Sequence, residues 1–447
     1  MKTQPKINVG ILASHKLHFA FTGAFKYNDS EVSSGEFTAT INDGQVVVED
    51  DSGIQKVAGS FLFIPNSFNS VFELQNVIIG VDFHWEQQEN QRFKGALKLI
   101  PENGKVRAVN QIDLEEYLES VISSEMSATS SPALLKAHAV ISRSWLLAQI
   151  EKTKSLQAGG GLYQTSHETS DEIIRWYDRE DHHNFDVCAD DHCQRYQGIT
   201  KIHSEKALKA VAETFGEVLF YEKKICDARF SKCCGGVAES FENVWEPVVH
   251  PYLTKVVDNS ETPENFNLDL ENETNAENWI RNHPPAFCNT TNQKVLSQVL
   301  PDFDQATTDF YRWKVEYTQK EISELVKKRS GIDFGEIVKL EPVERGVSGR
   351  LIKLKITGTK KTLTVGKELE IRKWFSKSHL YSSAFVVDHL ETKNGIPQKI
   401  VITGAGWGHG VGLCQIGAAV MGEKGYSYKE ILKHYFKGAE LKKYYES

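Results

Sequence analysis

The chain has 447 residues, 40% of them hydrophobic and 25% charged, an ordinary globular composition that suits two or three domains and excludes wholesale disorder. A formal charge of -8 argues against a broad surface that grips nucleic acid, so the expected partner is neutral or uncharged. No apolar run reaches the roughly 20 residues of a membrane-spanning helix.

The opening "MKTQPKINVGILASHKLHF" lacks the apolar stretch and cleavage site of a secretory leader, which predicts a cytoplasmic protein or one whose leader precedes this numbering. Up to about residue 100, short β-rich runs such as "INVGIL", "FTATIND", "GQVVVEDD", "VFELQNVIIGVDFHW" and "FKGALKLI" alternate with turns and predict an antiparallel layer. "NQIDLEEYLESVI" then predicts a short amphipathic helix, with Asp113 and Glu116 spaced as a capping box and Leu114, Leu118 and Val121 on one face.

A long helix should open at "SSPALLKAHAVISRSWLLAQIEK", with Ser131 as N-cap and Pro132 in its first turn. A polar loop holding Gly159, Gly160 and Gly161 follows, then a histidine- and cysteine-rich stretch, then a helix leading into strands over "SEKALKAVAETFGEVLFYEKKI". Residues 259–335 are polar and read as an inserted, partly helical excursion. Strands return in "EIVKLEPVERGVSGRLIKLKITGTKKTLTVG", and the chain closes with a glycine-rich loop and helices, the last opened by a Ser427/Glu430 capping box. The reading is an α+β fold: a β-rich N-terminal domain (1–104), an α/β core in two parts (105–258 and 336–447), and the excursion between them.

Three stretches carry chemistry. In "VISSEMSATSS", Glu125 continues the spacing of Leu114, Leu118 and Val121 at i+11 and would face inward at the negative end of a helix. Both effects disfavour its ionised form, which suits a general acid for a glycosidic oxygen. The alternative is that the helix ends by Ser123 and Glu125 is solvated in a turn. "HHNFDVCADDHC" gathers His182, His183, Cys188, His192 and Cys193, a donor set that suits zinc, with a disulfide or a plain polar loop as alternatives. Seven cysteines, an odd number, disfavour a pure disulfide framework. The vicinal Cys233 and Cys234 of "KCCGG" read as free thiols lining a turn.

"GAGWGHGVGLCQIGA" matches no phosphate-loop pattern, so its glycines are read as permitting close backbone approach, with Trp407, His409 and Gln415 available to a ligand. The alternative is a structural turn with His409 satisfied in the core. No GxSxG elbow or HExxH helix is present, although Cys193 and Cys234 stay open as nucleophiles.

These motifs, with "IDLEEYLESVISSEMSATSSPALLKAHAVISRSWLLAQ", "DVCADDHCQRYQGI", "FSKCCGGVAESFENVW" and "LYSSAF" in this order, resemble the sporulation stage II protein D family, also called the SpoIID/LytB domain family. The resemblance covers most of residues 105–258 and 375–436. It implies a lytic transglycosylase that cleaves between N-acetylmuramic acid and N-acetylglucosamine in peptidoglycan glycan strands, preferring strands stripped of stem peptides by an amidase. The family's catalytic glutamate corresponds to Glu125. Beside it, Arg143, Trp407, His409 and Gln415 are expected to bind substrate. It also implies a structural zinc on His182, Cys188, His192 and Cys193, with His183 as the alternative to His182.

The runner-up is a non-catalytic glycan-binding module that stimulates a cell-wall amidase, and a zinc-dependent hydrolase is a third class. The family places the protein in the cell envelope, whereas the opening residues fit cytoplasmic recycling of wall fragments. "KCCGG", Trp145, the polar segment and the first hundred residues depart from the family pattern.

Overall fold

Alternating apolar and polar residues in the first 113 residues build two antiparallel sheets that share one core. The computed structural model describes residues 3–79, 87–157, 164–176, 182–190, 192–202, 204–299 and 308–446. One sheet contains β1 (Lys6–Ser14), paired along its length with Lys105–Asp113, which pairs in turn with Ala96–Glu102. The other is built on Lys16–Thr22, Gly35–Asn42, Gln45–Asp50 and Val71–Ile79. Phe19, Phe21, Phe25, Phe63 and Phe72 fill the space between them, each worth roughly 1.5–3 kcal/mol relative to exposure. Because Lys105–Asp113 pairs with β1 and then runs directly into the next helix, the β layer and the helical core are continuous.

Helix α1 (Leu114–Glu125) buries Leu114, Tyr117, Leu118, Val121 and Ile122. Asp113 occupies its N-cap, yet its side chain makes no capping bond, so the expected capping box is absent here. The helix runs through Glu125 and ends where Met126 turns extended, its amide donating to the Ile122 carbonyl at 3.1 Å. Glu125 therefore belongs to the last helical turn, and the early termination by Ser123 does not occur.

Helix α2 (Pro132–Gln157) is the axis of the core. The Ser131 hydroxyl accepts the Leu134 amide at 3.3 Å, as its N-cap role requires, and every residue from Ala137 to Leu147 is buried. A helix buried on all sides must satisfy its polar side chains internally, and His138, Ser142, Arg143 and Ser144 each do so. The expected loop at Gly159–Gly161 lies outside the described residues.

A second core forms from the antiparallel meander Ile337–Arg345, Leu351–Gly358 and Thr362–Gly366, with Ile322, Val326, Trp374 and Phe385 packed against it. The polar excursion is helical over Glu273–Arg281, Gln293–Leu296 and Gln319–Ser330. Its later part is integral to the core, because Arg312–Thr318 pairs residue for residue with Lys399–Ala405. The capping box at Ser427 and Glu430 forms as expected and opens the helix Tyr428–Tyr435. The whole is an α+β fold with a β-rich N-terminus.

Candidate functional site

The segment 182–190 is held by backbone pairing to the N-terminal sheet, and 192–195 folds back beside it. Val187 and Cys188 add a short parallel strand beside Val9 and Gly10, and Asp186 accepts the Asn8 amide at 2.7 Å and its side-chain amide at 3.1 Å. This anchoring brings His182, Cys188, His192 and Cys193 together, with one ligand atom of each within 4.8 Å of all the others.

Cys193 Sγ lies 3.4 Å from His182 Nε2 and 3.6 Å from His192 Nδ1, and Cys188 Sγ lies 4.0 Å from His192 Nδ1. A tetrahedral ion with metal–sulfur bonds of about 2.3 Å and metal–nitrogen bonds of about 2.05 Å has edges of about 3.6 Å, so the donor set and its spacing fit such an ion. Cys193 first, then His182 and His192, hold the Cys188 thiol well below the usual thiol range in spite of burial. The structure brings all four expected ligands together, His182 rather than His183 among them.

The same loop reaches Glu125. Its carboxylate Oε1 accepts the Arg195 amide at 3.1 Å, and one residue earlier Gln194 takes a bond from Tyr117 of α1 at 3.4 Å and donates to the Ser142 carbonyl of α2 at 3.3 Å. Glu125 is half-buried. The metal-ready loop, α1 and α2 thus fix its position jointly.

Beside this loop lies a small cavity of about 40 Å³, lined by Trp145, Trp245, Arg229, His192 and Cys193 among others. The Arg229 guanidinium lies 4.2 Å from the centre of the Trp245 ring and is held by a two-pronged pair to Asp227 at 2.7 and 3.0 Å. His409 meets the same tryptophan edge-on at 4.9 Å. Its Nδ1 accepts the Val411 amide at 3.0 Å, and burial, followed by the charge of Arg229, holds the ring neutral, well below its usual range. Sequence reasoning missed Arg229 and Trp245; the run "FENVW" was the available sign.

Two expected substrate contacts are placed elsewhere. Arg143 is fully buried and clamps Glu115 through Nε and Nη2 at 2.9 and 2.7 Å while Nη1 bonds the Glu217 carbonyl, so its guanidinium is committed to the fold. Gln415 is also buried, and its side-chain amide donates to His138 Nε2 at 3.1 Å. Trp407 is half-buried, between Phe310 at 4.6 Å and Tyr381 at 4.3 Å. The glycines around it serve packing: a Cβ at Gly404 would lie 2.1 Å from the Trp313 ring, and one at Gly410 would lie 2.3 Å from the Arg350 guanidinium carbon.

A second group able to hold a metal ion is fully buried and comprises Cys234, Asp258, Cys288 and Cys414. The "KCCGG" cysteines do line a turn, yet Cys234 converges with thiols far away in sequence instead of standing apart.

Residues 102–221 match the family model described as Stage II sporulation protein, and residues 239–412 match a domain of unknown function, DUF8618. The first segment holds Glu125 and the whole group at 182–193. An uncharacterized protein of Brachyspira hyodysenteriae is 26% identical over 424 residues, 94% of this chain and 88% of that protein. Stage II sporulation protein D of Bacillus amyloliquefaciens is 26% identical over 75% of each chain. An amidase enhancer of Bacillus subtilis is 25% identical over 53% of this chain and 32% of its own length.

Proposed function

We propose, for a chain that belongs to the SpoIID/LytB family, that it acts on the cell wall as a lytic transglycosylase of peptidoglycan glycan strands, with Glu125 as its single acid/base. The observation that carries the reading is the carboxylate of Glu125 at the end of α1, held by the Arg195 amide within the segment that matches the family. The carboxyl gives its proton to the oxygen leaving C1 of N-acetylmuramic acid. The resulting carboxylate takes the C6 hydroxyl proton as that oxygen bonds to C1, so a 1,6-anhydro ring closes, no water is consumed and Glu125 is protonated again. One acid/base suffices, in contrast to the carboxylate pair of ordinary glycosidases.

His182, Cys188, His192 and Cys193 suit zinc, which would brace the loop and leave no coordination position for a water. Arg229 and Trp245, both half-buried beside the loop, offer a cation and an indole to a sugar, and His409 meets Trp245 edge-on.

A second reading, a non-catalytic module that stimulates an amidase, draws on the similarity to the amidase enhancer. The two are separated by incubating peptide-free glycan strands with the wild type and with Glu125→Gln and analysing the fragments by mass spectrometry. The enzymatic reading expects anhydro-muramyl ends from the wild type alone. Ends from neither protein favour the second reading, and ends from both remove Glu125 from its role.

A further inference from the structure

The second group, fully buried where the loop ligands are half-buried, includes Cys414 of the glycine-rich stretch and joins segments that no local motif connects. Cys234 sits in the turn after Phe230–Ser231, Asp258 and Cys288 flank the helix Glu273–Arg281, and Cys414 caps the helix Gln415–Glu423. All four side chains are buried, and one ligand atom of each lies within 4.8 Å of the other three. From this convergence we infer a second metal site, in which Cys234, Cys288, Cys414 and Asp258 hold a thiolate-preferring divalent ion of the zinc class.

Three observations support it. The first is spacing: Sγ of Cys234 and Sγ of Cys288 are 3.7 Å apart. That is the edge, about 3.8 Å, of a tetrahedron whose metal–sulfur bonds measure about 2.3 Å, and it is far beyond the roughly 2.05 Å of a disulfide. All seven cysteines are free.

The second is support around the donors. The Cys234 amide donates to Cys414 Sγ at 3.2 Å, and Asp258 is oriented by the Tyr435 hydroxyl at 2.6 Å and the Cys288 amide at 2.8 Å. Outer hydrogen bonds of this kind fix ligand geometry at metal sites. The third is room made for the carboxylate. A Cβ on Gly417 would lie 2.3 Å from Asp258 Oδ1, so only glycine at that helical position lets Asp258 reach the thiols.

The ion would fasten the turn at 233–236 to the start of the helix Gln415–Glu423. The Ile416 amide already donates to the Lys232 carbonyl at 3.1 Å beside that junction, and Cys233 exchanges backbone bonds with Trp407 at 3.0 and 2.8 Å. Such a site acts as a staple between the turn at 233–236 and the segment that carries Trp407, His409 and Cys414, and four protein ligands give it a structural role.

The test is zinc content and zinc X-ray absorption on the full reduced chain, for the wild type and for Cys188→Ser/Cys193→Ser, which removes both thiols of the loop site. The double variant is expected to keep one zinc per chain in a shell of three sulfurs and one oxygen. Adding Cys288→Ser should lower that content at least tenfold. A folded double variant that holds no zinc after exposure to excess metal overturns the site, as does a disulfide joining Cys234 to Cys288 on peptide mapping without reductant.

Should the double variant fail to fold, the wild type decides. Two ions sharing five sulfurs among eight ligands are expected, and a shell of two sulfurs and two nitrogens overturns the inference. Because the loop thiols are absent from the double variant, failure of the loop site and failure of the buried site give different results.

Discussion

The Glu125 carboxylate accepts the Arg195 amide at 3.1 Å, and Arg195 stands two residues beyond Cys193. The acid/base candidate and the metal-ready loop are therefore one mechanical unit. The loop is fastened in turn to β1, where Gly10 pairs with Cys188. A perturbation anywhere along this line should reach Glu125 without touching it.

Glu125→Gln keeps the shape and the ability to accept the Arg195 amide but can neither give nor take the reaction's protons. Anhydro-ring formation should fall by about 10²–10⁴-fold, the usual range for a lost general acid/base. Melting temperature and glycan affinity should stay close to wild type. A large fall in melting temperature would show that Glu125 matters for folding rather than for chemistry.

Cys193→Ser removes one of the four loop donors and should release the ion from that site. Freed from it, the loop holds the Arg195 amide less firmly against Glu125. Turnover should drop about tenfold with a lower melting temperature, and product from residual activity should still carry the anhydro ring. Product lacking that ring in the presence of excess zinc would point to metal-activated water instead.

Legibility from sequence followed distance along the chain. The loop ligands fall within a dozen residues, and the Leu114, Leu118, Val121 and Glu125 spacing is local, so both could be read directly. The partners of Arg143 and Gln415 could not: Glu115 is 28 residues from Arg143, and His138 is 277 residues from Gln415. An arginine or glutamine has the same local appearance whether it faces a ligand or closes a buried bond. The cysteines of the second group are separated by 54 and 180 residues, so only the fold reveals that they meet. The long strand Lys105–Asp113 was overlooked because its alternation leads without a break into the apolar face of α1.

Arg143→Ala should destabilise the fold by about 3–5 kcal/mol, because it leaves the Glu115 carboxylate buried without its counter-ion. The Gly216 amide and the Tyr445 hydroxyl also bond Glu115, so its position is otherwise kept. Denaturant unfolding measures the loss. At a temperature where the variant is folded, its glycan affinity should match wild type, and a selective loss of affinity would restore Arg143 to substrate binding.

His138 should impose a dependence of stability on acid pH. Burial lowers its pKa to about 3, whereas in the unfolded chain it titrates near 6.5. Between these values the unfolded state binds the additional proton. The stability contribution is therefore complete above pH about 6.5 and declines by about 1.4 kcal/mol per unit as the pH falls toward 3. His138→Gln should lose about 2 kcal/mol less than wild type between pH 6.5 and 5 in parallel urea titrations. Equal losses would mean that the imidazole is reached by water or finds a new partner when protonated.

Gly10→Ala tests the line from β1 to the metal loop. A Cβ at Gly10 would lie 2.6–2.7 Å from three atoms of the Phe185 ring, too close for real contact, so the ring must move. Phe185 packs against the His182 ring at 4.5 Å between centres, and its chain leads directly into Cys188. Overpacking of this kind costs about 1–3 kcal/mol, and here it should fall on the loop. Competition with a chelator should show zinc held about tenfold less tightly at the loop site. Adding Phe185→Ala vacates the space and should recover much of that affinity in Gly10→Ala/Phe185→Ala. If Gly10→Ala binds zinc as the wild type does, the strand pairing at Gly10 and Cys188 merely accompanies the site and does not position it.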